Sequence, residues 1–111
     1  SSVLARAPGR PKMPDQLLTF HCAIRDTETI VEAIRTIAHA PIHIREEAVR
    51  GRDFSDAQTT EQVTGSLRRS AVELIVTETT LQDVVRAVTD SRHERPVRWH
   101  ALSVVSHGRI A

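Results

Sequence analysis

Two strand-like segments separated by a long polar stretch constrain the fold of this chain more than any other feature. The first is the alternating run Ile42-His43-Ile44-Arg45, and the second is the largely apolar run 69–76. Nineteen mostly polar residues, 50–68, lie between them. Loops of that length are uncommon in compact domains and are often functional or disordered. The sequence therefore predicts two strands joined by a functional loop, with the rest of the chain as their scaffold.

The composition predicts one small domain with an aliphatic core. The chain has 111 residues, of which 40% are hydrophobic and 3% aromatic, and its net charge is +1. That charge gives no electrostatic case for nucleic-acid binding. The single cysteine, Cys22, suits a reducing compartment, and no apolar run is long enough to cross a membrane. We expect a cytoplasmic protein without direct membrane insertion.

Hydrophobic periodicity predicts four strands and two helices in the order βαββαβ. The strands are expected at 16–24, 42–49, 69–77 and 97–106. Asp26 is the expected cap of the first helix, and Thr79 or Thr80 of the second. This order is typical of the α+β, ferredoxin-like fold, in which two helices cover one face of a four-stranded antiparallel sheet. The domain is expected over 15–111, preceded by a disordered tail at 1–14 that contains three prolines.

The sheet face opposite the helices is also expected to carry apolar residues. Leu17, Ala23, Ala71 and Ile75 fall on that side of their strands by alternation. A large uncovered apolar face normally marks an oligomer interface. Self-association is therefore predicted.

Several segments together resemble the PII superfamily, whose members are trimeric ferredoxin-like proteins with a long loop between the second and third strands. The segments are Glu46-Glu47-Ala48-Val49-Arg50-Gly51-Arg52, the strand at 69–76 and the helix at 81–88. A closer similarity, to small PII-like proteins associated with heavy-metal efflux systems, rests on Glu61-Gln62-Val63-Thr64-Gly65, Arg68-Arg69, Trp99 and Gly108-Arg109-Ile110. The resemblance implies a homotrimer whose loop docks on a membrane transporter.

The chain departs from nucleotide-binding PII proteins in one segment. Those proteins resemble each other in a Gly- and Lys-rich stretch before the last strand, whereas residues 90–96 here contain neither residue type. The chain also lacks the tyrosine that is modified in some PII loops, because it has no tyrosine at all. Nucleotide sensing of the usual kind is therefore in doubt.

Two sets of residues are candidates for ligand binding. An effector or anion site is predicted from guanidinium groups and flexible glycines near the loop; its members are Arg50, Gly51, Arg52, Gly65, Arg68, Arg69 and Arg109. The alternative is that these arginines pair with acidic residues of the loop. A metal site is predicted from histidines on strands, which a trimer would repeat three times; they are His21, His43 and His100. The alternative is scattered surface histidines.

Three functions are consistent with these observations. The first is a trimeric PII-like regulator that binds a small effector near the base of its loop and modulates a membrane transporter, in particular a heavy-metal efflux pump. The second is a tolerance protein that binds Zn, Cu, Ni or Co directly. The third is an adenine-nucleotide or bicarbonate sensor linked to carbon metabolism. The cofactor would accordingly be a divalent metal or an adenine nucleotide. No catalytic arrangement is readable, so an enzyme is not expected.

Overall fold

The computed structural model describes residues 15–51 and 67–111, and within them the strands and helices follow the predicted order. The strands are β1 (Asp15–Ala23), β2 (His43–Val49), β3 (Leu67–Val76) and β4 (Arg98–Val104). The helices are α1 (Thr27–Arg35), which follows a 3-10 turn at Ile24–Asp26, and α2 (Glu78–Thr89). The predicted tail at 1–14, and the loop residues Arg52 and Gly65, lie outside the described residues.

The four strands form one antiparallel sheet in the order β2-β3-β1-β4. Leu18 at the middle of β1 is in register with Leu74 of β3 on one side and Ala101 of β4 on the other. The two helices come from the two βαβ halves and pack on each other and on the sheet. This arrangement confirms the ferredoxin-like α+β fold.

The core lies between the sheet and the helices. On β1 it consists of alternate residues Leu18, Phe20 and Cys22, all of which are at most 1% exposed. Period-two alternation sends these side chains to one face, where they meet apolar stripes at helical spacing. The opposing side chains are Ile30 and Ile34 of α1, Leu81, Val84 and Val88 of α2, and Val72, Leu74 and Val76 of β3. Burial of each such side chain stabilises the fold by about 1.5–3 kcal/mol.

Asp26 occupies the predicted cap position of α1 but makes no capping hydrogen bond with its side chain, and the structure corrects the predicted cap of α2. Asp26 precedes α1, but its buried carboxylate accepts hydrogen bonds from the backbone N–H groups of Glu94 and Arg95, at 2.9 and 3.0 Å. It therefore anchors the loop before β4 and does not cap the helix. At α2 the cap is Thr77, whose Oγ1 accepts from the backbone N–H of Thr80. Neither helix in the described part of the chain is long and apolar enough to cross a membrane.

Candidate functional site

The sheet face that the helices leave uncovered carries a polar cluster at its centre. The strand register places four residues in one row across the sheet, in the order Arg45, Ala71, His21 and Arg98. The next row contains His43, Glu73, Thr19 and His100. Apolar residues adjoin this centre in the row of Ile75, Leu17 and Leu102. The uncovered face is therefore amphipathic, whereas alternation along the strands predicted an apolar surface there.

A hydrogen bond between His21 and Glu47 crosses the sheet diagonally. It joins Nδ1 of His21 on β1 to Oε2 of Glu47 on β2, over the intervening strand β3. Each side chain is about one-quarter exposed, 25% for His21 and 24% for Glu47. An ionised carboxylate can only accept, so the imidazole donates through Nδ1–H. In the neutral ring the lone pair then lies on Nε2.

A second imidazole lies against the first. The rings of His21 and His100 stack with their centroids 5.4 Å apart and their planes inclined by 23°. His100 belongs to β4, the neighbour of β1, and is in register with Thr19, two residues before His21. The two rings are therefore diagonal neighbours on one face, and two of the three predicted metal ligands are brought together.

Glu73 is held by two side chains beside the histidine pair. The hydroxyl of Thr19 donates to Oε2 of Glu73 at 2.9 Å, and Nη1 of Arg45 lies 3.1 Å from its Oε1. Thr19 is only 1% exposed although it faces away from the two helices that the structure describes. The carboxylate of Glu73 is thus committed to bonds within the sheet.

Arg69 lies inside the fold near the same cluster. Its guanidinium is part of a side chain that is 5% exposed, and its Nη2 donates to the carbonyls of His21 at 3.0 Å and Pro96 at 2.9 Å. These bonds tie the end of β1 to the segment that precedes β4. Burial lowers the pKa of the Arg69 guanidinium, and the nearby Cys22 opposes this shift.

The other described members of the predicted anion site lie at the surface. Arg50 is exposed at the end of β2, and Arg109 is exposed on the segment after β4. Arg68 is also exposed, and its Nη2 lies 2.6 Å from Oε1 of Glu46. Gly51 adopts a φ of 157°, a conformation that residues with a Cβ rarely adopt. Arg68 and Arg69 lie on opposite faces of β3, so the structure separates these two neighbours.

The remaining predicted metal ligand, His43, is apart from the other two. It lies in the same row as His100 but three strand spacings away, a Cα separation of roughly 14 Å. Within residues 15–51 and 67–111, no group of three or more His, Cys, Asp or Glu side chains could hold a metal ion. Two further histidines have other partners, since His93 bonds to Ser91 and His107 to Asp15. A single chain thus offers a pair of imidazoles and, among the residues described, no complete metal site.

Sequence reasoning missed the carboxylates that organise this face. Alternation along β2 puts Glu47 on the same face as His43, and alternation along β3 does the same for Glu73. The pairing of either carboxylate with a residue of β1 depends on strand register. Alternation shows on which face of its strand a residue lies, but it does not show which residue of the next strand lies opposite. The sequence therefore indicated the face of Glu47 and Glu73 and not their partners.

A groove on the helix side of β4 contains Trp99. Its volume is about 180 Å³. Trp99 is 44% exposed, and Phe20 belongs to the same lining. Trp99 is in register with Phe20 and therefore lies on the helix face, away from the histidine pair.

Cys22 is unsuited to nucleophilic chemistry. The thiol is fully buried in the core. Burial raises its pKa to about 11, an effect that the Arg69 charge partly opposes. The reactive species of a cysteine is the thiolate, which is therefore scarce at neutral pH.

Comparison with solved structures shows the same fold in several proteins. A DUF3240 family protein from Shewanella baltica OS155 superposes with a TM-score of 0.71 at 12% identity, over 88% of this chain and 98% of that one. A protein from Thermus thermophilus described as PII-like and signalling gives 0.52 at 15% identity, over 86% and 94%. A Bacillus cereus protein related to NIF3 gives 0.62 at 10% identity, but 27% of that chain is covered. No curated protein matches this sequence significantly.

The sequence itself identifies the family. Residues 43–111, which include β2, β3, α2 and β4, match the family described as "Protein of unknown function (DUF3240)". The matched range covers well over half of the chain and includes Glu47, Arg69 and His100. The chain belongs to the DUF3240 family, and its fold is that of the PII-like proteins.

Proposed function

We propose that this protein is a cytoplasmic PII-like regulator that forms a homotrimer through its uncovered sheet face. In this proposal it binds a small effector near the base of the loop between β2 and β3, and the loop then docks on a membrane transporter. The observation that carries the proposal is the combination of a PII-like fold with a sheet face that neither of the described helices covers. A regulator of this kind acts through its binding surfaces and requires no catalytic group.

The uncovered face has the character of a protein interface. Leu102 is 57% exposed on β4, and Leu17 and Ile75 beside it are half-buried. The polar side chains next to them already have partners within the chain, because Thr19 and Arg45 bind Glu73 and His21 binds Glu47. Desolvation of such paired groups costs less than desolvation of unpaired ones. A second copy can therefore cover the face without leaving isolated charges.

The base of the loop supports the effector part of the proposal. Arg50 and Gly51 directly follow β2, and Arg68 is the second residue of β3, which pairs with β2. Guanidinium groups at two ends of a loop suit an anionic ligand, which would then link the ends and bias the conformation of the loop between them. The choice of a heavy-metal efflux pump as partner rests on the resemblance at 61–65, 68–69, Trp99 and 108–110.

Oligomer mass tests the assembly. Light scattering after gel filtration should give three chains per particle for the wild type. Leu102→Asp places a carboxylate on the uncovered face and should yield monomers. Ile37→Asp is the matched control, because Ile37 is 39% exposed after α1 and lies away from that face. A monomeric wild type would contradict the proposal.

A thermal-shift panel then identifies the effector class. The panel contains Zn, Cu, Ni, Co, ATP, ADP, AMP, cyclic AMP and bicarbonate, because a ligand of the native state raises the melting temperature. A shift with a nucleotide or bicarbonate that Arg68→Met abolishes would favour the sensor of carbon metabolism. Docking is tested separately with a purified heavy-metal efflux pump and a variant in which residues 52–66 are replaced by a short Gly-Ser linker. Equal binding by both proteins would exclude docking through the loop.

A further inference from the structure

The histidine pair on the uncovered face has the arrangement of an incomplete metal site. The imidazoles of His21 and His100 stack 5.4 Å apart on neighbouring strands. Glu47 accepts from Nδ1–H of His21, so that Nε2 carries the lone pair. A carboxylate on the far nitrogen is the usual support of a metal-binding histidine, because it fixes the ring and increases its basicity. These features occur together on one exposed part of the sheet.

We propose that His21 and His100 form part of a site for a borderline divalent metal ion such as Zn²⁺, and that the same face of the other copies in the trimer completes it. Zn²⁺ in structural sites takes four ligands, and imidazole nitrogen is among its preferred donors. Two imidazoles leave two positions to fill. Glu47 is the positioning residue of this partial site. The proposal rests on self-association through the uncovered face, which repeats each ligand once for every copy.

Charges of both signs surround the pair, because Arg98 is in register with His21 on β4 and Glu47 is hydrogen-bonded to His21. Arg45 is paired with Glu73, and Nη2 of Arg69 is turned toward the carbonyls of His21 and Pro96. Glu47 adds a negative charge within hydrogen-bond distance of His21. The described part of one chain brings no third ligand to the pair, so a site confined to one chain is not expected. The bound ion would therefore join copies and be present at fewer than one per chain.

Zinc stoichiometry and oligomer mass, measured on the same sample, test this inference. The purified full chain is stripped with EDTA, reloaded with Zn²⁺ alone, dialysed and analysed for metal content and mass. Fewer than one tightly bound Zn²⁺ per chain is expected, in an oligomer. Co²⁺ in place of Zn²⁺ should give the visible absorption of a tetrahedral nitrogen-ligated ion. His21→Ala and His100→Ala should each abolish both signals.

Matched variants separate the pair from other histidines. His39→Ala and His43→Ala remove exposed imidazoles, one after α1 and one on the same sheet face as the pair, and should keep full zinc binding. Glu47→Gln should weaken binding by about 10- to 100-fold and leave the ligands in place. Each variant is first checked for an unchanged melting temperature in EDTA, so that loss of metal is not loss of fold.

The outcomes distinguish this inference from the proposed function. An oligomer in EDTA that takes up no Zn²⁺ overturns the metal site and leaves the regulator intact. A monomer that neither associates nor binds Zn²⁺ overturns both. One Zn²⁺ per chain in monomeric Leu102→Asp overturns the shared site, as does loss of binding in His43→Ala. Binding by the wild type that both His21→Ala and His100→Ala abolish, with His39→Ala unaffected, supports it.

Discussion

His21 on β1 and Glu47 on β2 are hydrogen-bonded to each other across β3, beside an Ala71 that is fully buried. Neither helix in the part of the chain that the structure describes covers this face, yet Ala71, Thr19 and Arg69 are each at most 5% exposed. Polar side chains of the face, including His21 and Glu47, lie beside these buried residues. Hydrogen-bonded polar side chains therefore lie beside a small buried residue on this face.

Ala71→Val should destabilise the domain by about 1–3 kcal/mol, because the added methyl groups have to displace the bond between His21 and Glu47. Denaturant unfolding of the protein, followed by circular dichroism, measures the free energy of unfolding. The control is Ala48→Val, the same substitution at an exposed position of β2. It should change stability by less than about 0.5 kcal/mol. Equal losses in the two variants would show that the bond imposes no packing constraint at position 71.

Adjacent arginines on β3 should differ sharply in their contribution to stability. Arg69→Met removes a buried donor to the carbonyls of His21 and Pro96 and should cost about 2–3 kcal/mol. Arg68→Met removes an exposed ion pair with Glu46 and should cost less than about 1 kcal/mol. Urea unfolding of both variants at one pH provides the comparison. A small effect of Arg69→Met would indicate that its hydrogen bonds are replaced by water.

Thr77→Ala should lower the free energy of unfolding by about 1 kcal/mol, because it removes the side-chain cap of α2. Thr79→Ala is the comparison, because the sequence predicts Thr79 or Thr80 as the cap. The hydroxyl of Thr79 contacts that of Thr77 but does not cap the helix. The effect of Thr79→Ala should be smaller. Thermal unfolding by calorimetry measures both, and a larger loss in Thr79→Ala would contradict the assignment of the cap.

The sequence predicted the elements and their order because each carries a local hydrophobic period. Alternation on β1 separates Leu18 and Phe20 from Thr19 and His21, and helical spacing marks Ile30 and Ile34. These patterns depend on neighbours along the chain, so a single sequence contains them. The same patterns placed His21, His43 and His100 on strands.

Long-range partners could not be predicted in the same way. Asp26 precedes a helix and has the residue type of a cap, but its carboxylate binds the backbone of Glu94 and Arg95, 68 and 69 residues later. Arg69 resembled an anion ligand by its position near the loop, but it bonds to carbonyls inside the fold. In both cases the residue type suits a partner nearby in the sequence as well as a partner far from it. The distant role depends on tertiary packing, which local sequence patterns do not reveal.

Cys22 gives the domain a specific dependence on alkaline pH. Burial raises the pKa of its thiol from 9.0 to about 11, so the folded state holds this proton more tightly than the unfolded state. As pH rises above 9, the unfolded chain loses the proton first, and the free energy of unfolding falls. The contribution of the Cys22 thiol to the free energy of unfolding is complete below pH 9 and is lost as pH approaches 11. The size of this contribution is on the order of 2 kcal/mol.

The free energy of unfolding should therefore fall more steeply in the wild type than in Cys22→Ala between pH 8.5 and 11. Cys22→Ala is expected to be less stable at pH 8, because the substitution leaves a small cavity in the core, but the difference between the two proteins should shrink as pH rises. Urea unfolding at several pH values, in the presence of reductant, measures both slopes. Parallel slopes would show that the thiol is accessible to water in the native state, and native Cys22 would then also react readily with iodoacetamide at pH 8.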